Sequence, residues 1–389
     1  MVNPTSLLAI CNTTNPFPFS PGFNIAQVAA AAAQLPSHSW EFGTAAEALL
    51  ELYDPQFSVF APVDAFPVPT IPKECVESLE YAASKIVFGT GANALSNGEG
   101  SVSDPASLGV SAVLLGKTDA RYAAAVSHQI NYITNIAPRL SNGAISHRVD
   151  VAELWADFIY MAPPFLAHAG ADAGNLDLLH EAYLQCRLYR EILQPPHGPG
   201  VWQHIIGPQN QDTGFWATGN AWAAAGMARV LATVMKAPIA ASASASWRGT
   251  AVSELTHWIK EILDGAMGSA MDGGLLRNYM YLDPNASGSD GARPVFGEIS
   301  GSCLLAAVAY RMAVLRGSDF GGKYIEWADG IRTTMALYVT SAGIAAPAVN
   351  PLNHTDTSPL STGSPEGNNF VVLMYAAWRD CVVANVCTR

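Results

Sequence analysis

Alanine-rich segments with apolar residues at helical spacing recur from one end of the chain to the other, and they constrain the fold more than any other feature. They are Thr44–Tyr53, Leu108–Leu115, Tyr122–Ile133, Leu176–Leu193, Ala221–Met235, Val252–Leu263, Cys303–Val314, Lys323–Val339 and Asn369–Cys381. Alternating strand patterns are scarce, so the spacing predicts an all-α fold. Several junctions share a form in which glycine ends one helix, aspartate follows in a short turn, and Tyr or Leu opens the next. Examples are Gly116-Lys117-Thr118-Asp119 before Tyr122, Gly170-Ala171-Asp172 before Leu176, and Gly317-Ser318-Asp319 before Tyr324. Glycine supplies a left-handed C-cap and aspartate restarts helical hydrogen bonding, which makes helical hairpins. Hairpins repeated along 389 residues stack as an open solenoid or close as a ring of helices inside a second ring. The Gly- and Trp-rich segments Gly198–Gly219 and Gly288–Gly301 favour closure, as irregular loops gathered on one rim. No linker divides the chain, so one domain over 1–389 is expected, with 1–36 as an irregular N-terminal segment.

Half of the residues are hydrophobic and 13% charged, enough to bury a large core. With 32 acidic against 20 basic residues the net charge is −12, which argues against nucleic acid or an anionic membrane as partner. An anionic ligand must therefore be held by a few local cations. The cysteines lack the doubled CxxC spacing of a zinc site, and Cys381 and Cys387 are spaced to close a small loop. Asn12, Asn285 and Asn353 each begin an N-x-S/T glycan acceptor pattern. No Asp, Glu, Lys or Arg precedes Glu41, and prolines interrupt that stretch, so it reads as neither an intact signal peptide nor a membrane span. A mature secreted chain is the expectation.

The densest chemistry lies in Ser146-His147-Arg148-Val149-Asp150 and Trp155-Ala156-Asp157-Phe158-Ile159-Tyr160-Met161. Asp157 stands in an apolar, aromatic run, where an unpaired carboxyl is desolvated and its pKa raised, as a general acid requires; a helix-terminal or salt-bridged structural aspartate is the competing reading. Asp104, followed by Pro105, has the form of a helix N-cap. Trp202, Trp216 and Trp222 flank His204 and Gly219-Asn220, and read either as a sugar-stacking wall or as core. Gly89-Thr90-Gly91-Ala92-Asn93-Ala94 lacks the βαβ context of a dinucleotide turn. GxSxG, HExxH and P-loop motifs are missing, so no cofactor or metal is expected and hydrolysis by carboxylates remains.

Together these segments resemble the unsaturated uronyl hydrolases, the unsaturated rhamnogalacturonyl hydrolases and their unsaturated glucuronyl relatives. The likeness is carried by Asp104-x-x-Ser107-Leu108-Gly109, His147-Arg148, Trp155-x-Asp157-x-x-Tyr160-Met161-x-x-Pro164-Phe165, His204, Trp216-x-x-Gly219-Asn220-x-Trp222, Glu298-x-Ser300-Gly301-Ser302 and Ser364-Pro365-Glu366-Gly367. It implies an (α/α)6 barrel of six helical hairpins. It also implies an oligosaccharide substrate bearing the terminal 4,5-unsaturated uronic acid that polysaccharide lyases leave. The family's catalytic aspartate falls on Asp157 and its second active-site aspartate on Asp104. His147, Arg148, Trp155, Tyr160, Met161, His204, Trp216, Thr218, Asn220 and Trp222 are implied to surround the sugar, Trp222 as a stacking face. In the implied chemistry one acid protonates C4 of the vinyl ether, water adds at C5, and the hemiketal opens to release the aglycone. Where relatives commonly read Trp-x-Arg-Gly-Asn-Gly-Trp, Thr218 replaces the arginine and Ala221 the second glycine, which removes a bidentate carboxylate partner. Action on saturated uronides, elimination, and a non-catalytic sugar-binding toroid are the competing functions.

Overall fold

The computed structural model describes residues 15–61, 65–242, 245–281, 295–353, 356 and 358–389. Among them twelve helices of eight or more residues alternate between an outer and an inner ring. The outer helices are α1 Ile25–Gln34, α3 Glu77–Lys85, α5 Ala120–Asn135, α7 Leu176–Leu193, α9 Ala245–Gly268 and α11 Gly322–Thr334. The inner ones are α2 Ser39–Tyr53, α4 Gly109–Gly116, α6 Phe158–Ala173, α8 Ala217–Lys236, α10 Ile299–Leu315 and α12 Pro365–Val383. Around the inner ring, α2 meets the short 3-10 turn Asp104–Leu108 that leads into α4, and α6, α8, α10 and α12 follow in order back to α2. Each outer helix packs on the inner partner of its hairpin, and α1 closes the circle by packing on α12. This is the (α/α)6 barrel.

Burial explains the division into rings. The described side chains of α8 are buried without a break from Ala217 to Val234, whereas α5 buries only Tyr122, Ala125, Gln129 and Ile133. A helix apolar all round belongs inside, and one with a single apolar stripe belongs outside. Small residues let the inner helices approach closely. Pro163 has no N–H for the Ile159 carbonyl, and Gly226 of α8 packs so near it that a Cβ there would lie 1.9 Å from that oxygen.

Four expectations change. Residues 25–34 of the expected irregular segment form α1, capped by the Asn24 side chain on Gln27 N–H. Helix α6 was hidden by Pro163 and Pro164, which lie inside it. The helix expected over Lys323–Val339 stops at Thr334 and tightens into a 3-10 turn at Met335–Leu337. The joint after α6 uses Gly174, at φ 65°, rather than Gly170, and Asn175 rather than Asp172 caps α7. Because every hairpin returns the chain, all inner helices begin at the same rim. Two-residue antiparallel strands tie that rim together: Leu154–Trp155 with Ile205–Ile206, Phe215–Trp216 with Tyr279–Met280, and Met271–Asp272 with Leu275–Leu276. Residues 288–294 of the Gly288–Gly301 segment lie outside the described residues.

Candidate active site

A cleft of about 200 Å³ opens at the rim where the inner helices start, lined by Asp104, His147, Arg148, Trp155, Asp157, Met161, His204, Trp216, Trp40, Gly98, Glu99, Glu366 and the turn Asn350-Pro351-Leu352. Eight of the residues singled out in the sequence thus converge. Asp157 stands immediately before α6, but its side chain makes no capping bond. Its Oδ2 lies 3.4 Å from Nε2 of His204. The opposite ring nitrogen, Nδ1, is 3.1 Å from Oδ2 of Asp212, so the imidazole bridges two carboxylates.

Asp104 opens the 3-10 turn instead of capping it, with Ser103 at the cap position, and its backbone N–H donates to Ser101 Oγ. The residue is buried, its side chain 12% exposed, and its carboxyl faces His147 Nε2 at 3.9 Å. Ser103 Oγ meets His147 Nδ1 at 2.9 Å. The His147 ring stacks on Trp155 at 4.9 Å, and Trp155 meets His204 edge-on at 5.7 Å. Trp155 donates its indole N–H to Glu153 Oε1 at 2.7 Å, while Glu153 Oε2 accepts the backbone N–H groups of Gln209 and Asn210. One buried carboxylate therefore fixes both the aromatic wall and the loop behind it.

The two aspartates hold protons differently. Burial raises Asp104 to about 7, helped by the nearby charge of Asp157. Burial also acts on Asp157, but the hydrogen bonding and charge of His204 outweigh it and hold the carboxyl below its ordinary value. This corrects the expectation of a raised Asp157: the carboxyl is paired with an imidazole, and Asp104 is the raised member. Burial would depress His204, yet Asp157 and Asp212 together raise it. Burial lowers His147 to about 4, which leaves it neutral near pH 7. Glu366, at the second position of α12, is pushed well above the carboxylate range by burial and by Asp157. It accepts the Trp40 indole N–H at 3.2 Å, and its Oε2 has no hydrogen-bond partner among the described residues. Arg148 is the one Lys or Arg among the described lining residues, and its buried Nε also lacks a partner there.

Four residues implied to surround the sugar do not line the cleft. Trp222 is fully buried between Tyr160 and Phe370, so it is core rather than a stacking face. Tyr160 is buried under the Arg229 guanidinium, which lies 4.8 Å from its ring centroid. Thr218 donates to Glu298 Oε1, and Glu298 caps α10. Asn220 accepts the N–H of Trp202 and donates to the carbonyls of Trp202 and Trp216. These last two brace the rim from below. Trp202 is fully buried, so of the three tryptophans around His204 only Trp216 reaches the cleft. Trp40, Glu99 and Asp212 carried no recognisable sequence signal, while Glu366 stood in a motif of the resemblance without a role. A larger groove of about 610 Å³ lies between α5, α6 and α7 on the outside of the ring. Its Lys117 and Asp172 neutralise each other at 2.7 Å.

No group of three or more His, Cys, Asp or Glu among the described residues is arranged to hold a metal ion. Cys381 and Cys387 form a disulfide, as their spacing allowed. No described helix is long and apolar enough to cross a membrane.

Comparison with known proteins finds the same fold in solved structures and a partial sequence likeness. Residues 110–248 match the model of Glycosyl Hydrolase Family 88. Over 119 residues the chain is 29% identical to the unsaturated rhamnogalacturonyl hydrolase YesR of Bacillus subtilis (strain 168), a match spanning 28% of this chain and 34% of that protein. A glycoside hydrolase from family 105 of C. acetobutylicum ATCC 824 superposes with a TM-score of 0.68 at 13% identity, covering 92% of this chain and 99% of that one. A family 88 glycosyl hydrolase from Bacteroides vulgatus gives 0.63 at 14% identity, with 96% and 98% covered. These structures share the fold. The matched family region contains His147, Arg148, Asp157 and His204, so the part of the chain similar to Glycosyl Hydrolase Family 88 carries much of the cleft.

Proposed function

We propose that the protein is a glycoside hydrolase that releases the terminal 4,5-unsaturated uronic acid from lyase-generated oligosaccharides by hydrating the vinyl ether. The observation that carries the reading is the acid pair: a raised Asp104 and an imidazole-held Asp157 share a small cleft with the Arg148 guanidinium. Asp157, protonated, gives its proton to C4, and positive charge develops at C5 and the ring oxygen. The carboxylate so formed takes a proton from water as the water oxygen adds to C5. The hemiketal opens and the aglycone leaves with no covalent intermediate, which separates this route from the two-carboxylate retaining scheme. Asp104, neutral through most of the acidic range, donates to a sugar hydroxyl. Arg148 pairs with the uronate carboxylate, the role left open by Thr218. Trp155 and Trp216 offer faces to the ring.

The cleft volume suits one sugar residue at a chain end rather than a bound polymer, since pockets for larger ligands run about 300–1,000 Å³. Its cation supply suits one carboxylate and a neutral aglycone, in keeping with the rhamnogalacturonyl substrate in the name of the YesR relative. A sulfated aglycone would face Glu99 and Asp157 with no second guanidinium among the described lining residues to receive it.

To test the function, lyase digests of pectin, arabinogalactan and sulfated glycosaminoglycans are incubated with the protein, and ultraviolet absorbance and product mass are followed. The expected result is loss of absorbance with mass gain of one water, fastest on neutral-aglycone fragments. A new double bond would indicate elimination, and binding without product would indicate a sugar-binding toroid; either overturns the reading. We further propose a secreted glycoprotein. Cys75 is disulfide-bonded, Cys381 pairs with Cys387, and Asn353 is exposed, while Asn12 and Asn285 lie outside the described residues. A mass shift on enzymatic deglycosylation of protein from its native host tests this.

A further inference from the structure

Asp212 does not line the cleft, yet it is 5% exposed and faces a residue that does. Its backbone exchanges hydrogen bonds with Ile205 in both directions, at 2.8 and 3.0 Å, and His204 N–H donates to Gly214 O, which ties the 204–214 turn onto itself. Asp212 Oδ1 accepts the Gly214 N–H at 3.0 Å, and Oδ2 accepts the Tyr279 hydroxyl and faces His204 Nδ1. An ionised carboxylate has no proton to give, so Nδ1 must carry the hydrogen. Protonation can then change only at Nε2, the nitrogen 3.4 Å from Asp157. The indoles of Trp155 and Trp216 confine the imidazole at 5.7 and 4.4 Å.

We propose that Asp212 is a positioning residue that fixes the Nδ1–H of His204 and makes this imidazole the proton store from which Asp157 is loaded before each turnover. The proposal rests on the hydration reading above. The free protein holds an Asp157 carboxylate beside an imidazolium. When the uronate binds, the Nε2 proton passes to Asp157, leaving neutral, Nδ1-protonated His204. Asp157 passes that proton to C4, regains one from the water that adds at C5, and returns it to Nε2. One water is consumed and the catalyst is restored. The groups facing His204 are Asp157, Asp212 with Tyr279 behind it, and His147 across Trp155, which is neutral near pH 7 and does not compete.

Nuclear magnetic resonance of 15N-histidine protein, without substrate, reads the relay independently of turnover. In wild type the His204 ring is expected to keep its Nδ1 proton at every pH and to lose the Nε2 proton above the ordinary histidine value of about 6.5. In Asp212→Asn that titration is expected to fall by about one unit or more. In turnover assays, kcat of Asp212→Asn is expected to drop about 10–100-fold at pH 7 with KM within about twofold, and the alkaline limb of the kcat profile to move to lower pH. Asp212→Glu is expected to recover part of both. A neutral wild-type ring protonated on Nε2 overturns the proposal even if no variant folds. So does an unmoved titration, or a loss confined to KM, in Asp212→Asn. Should wild type consume no unsaturated uronide, the functional reading fails while the ring titration still decides the positioning role.

Discussion

The two ends of the inner ring use the same kinds of residue in opposite ways. At the rim, Asp104, Asp157 and Glu366 gather with the Arg148 guanidinium and two imidazoles. About twelve residues further along the same helices, at the far end, Glu47 and Glu51 of α2 meet Arg229 of α8, Arg311 of α10, and Arg379 and Asp380 of α12. Arg229 and Arg311 both grip Glu51, Arg311 also holds Asp380 at 2.6 Å, and Arg379 donates to the carbonyls of Glu51 and Leu52. Tyr160, early in α6, lies under the Arg229 guanidinium of this cluster. A carboxylate clasped by two guanidinium groups, as Glu51 is, is anchored, whereas one facing imidazole can exchange a proton near neutral pH. Pairing, rather than burial, separates structure from chemistry here.

Substitutions can break that comparison. Asp157→Asn is expected to lower kcat by about 10³-fold or more, about 4 kcal/mol of barrier, with little change in melting temperature. Arg229→Met should do the reverse, costing about 3–5 kcal/mol in denaturant unfolding because Glu51 and Glu47 lose a buried partner, while KM of the folded fraction holds. Arg148→Met is expected to raise KM about 10–100-fold, about 1.4–2.7 kcal/mol, with a smaller change in kcat, as read from initial rates. Glu47→Gln should be the mildest, within about 1 kcal/mol near pH 6. Burial raises Glu47 from 4.5 to about 7, so its stabilising contribution is complete below 4.5 and is lost as pH rises through about 7. The glutamine removes this titration, so melting temperature from pH 5 to 8 should fall less steeply than in wild type.

Much of the architecture was legible because an inner helix must be apolar all round and an outer one striped, and both leave a helical period. Helix α6 escaped because Pro163 and Pro164 interrupt the pattern where neighbouring helices, not local hydrogen bonds, sustain it. Helix α1 escaped among prolines and uncharged residues. In the site, Asp104, His147, Arg148, Trp155, Asp157, Met161, His204 and Trp216 were legible as a set. The linear motif could not separate residues that face the cleft from residues that brace it, so Thr218, Asn220, Tyr160 and Trp222 came along with them. Asp212 and Glu153 were invisible because their partners depend on how the rim turns fold back. The pairing of Asp157 with His204 spans 47 positions and reverses the protonation expected from its apolar neighbours.

Proton delivery to C4 can be followed directly by running the reaction on an unsaturated rhamnogalacturonan disaccharide in deuterium oxide, with aglycone release and ultraviolet absorbance recorded together and early product examined by nuclear magnetic resonance. The account predicts that absorbance falls no later than aglycone appears and that early product carries a newly added deuteron at C4. Aglycone appearing while the double bond persists, with no deuteron at C4, would contradict it.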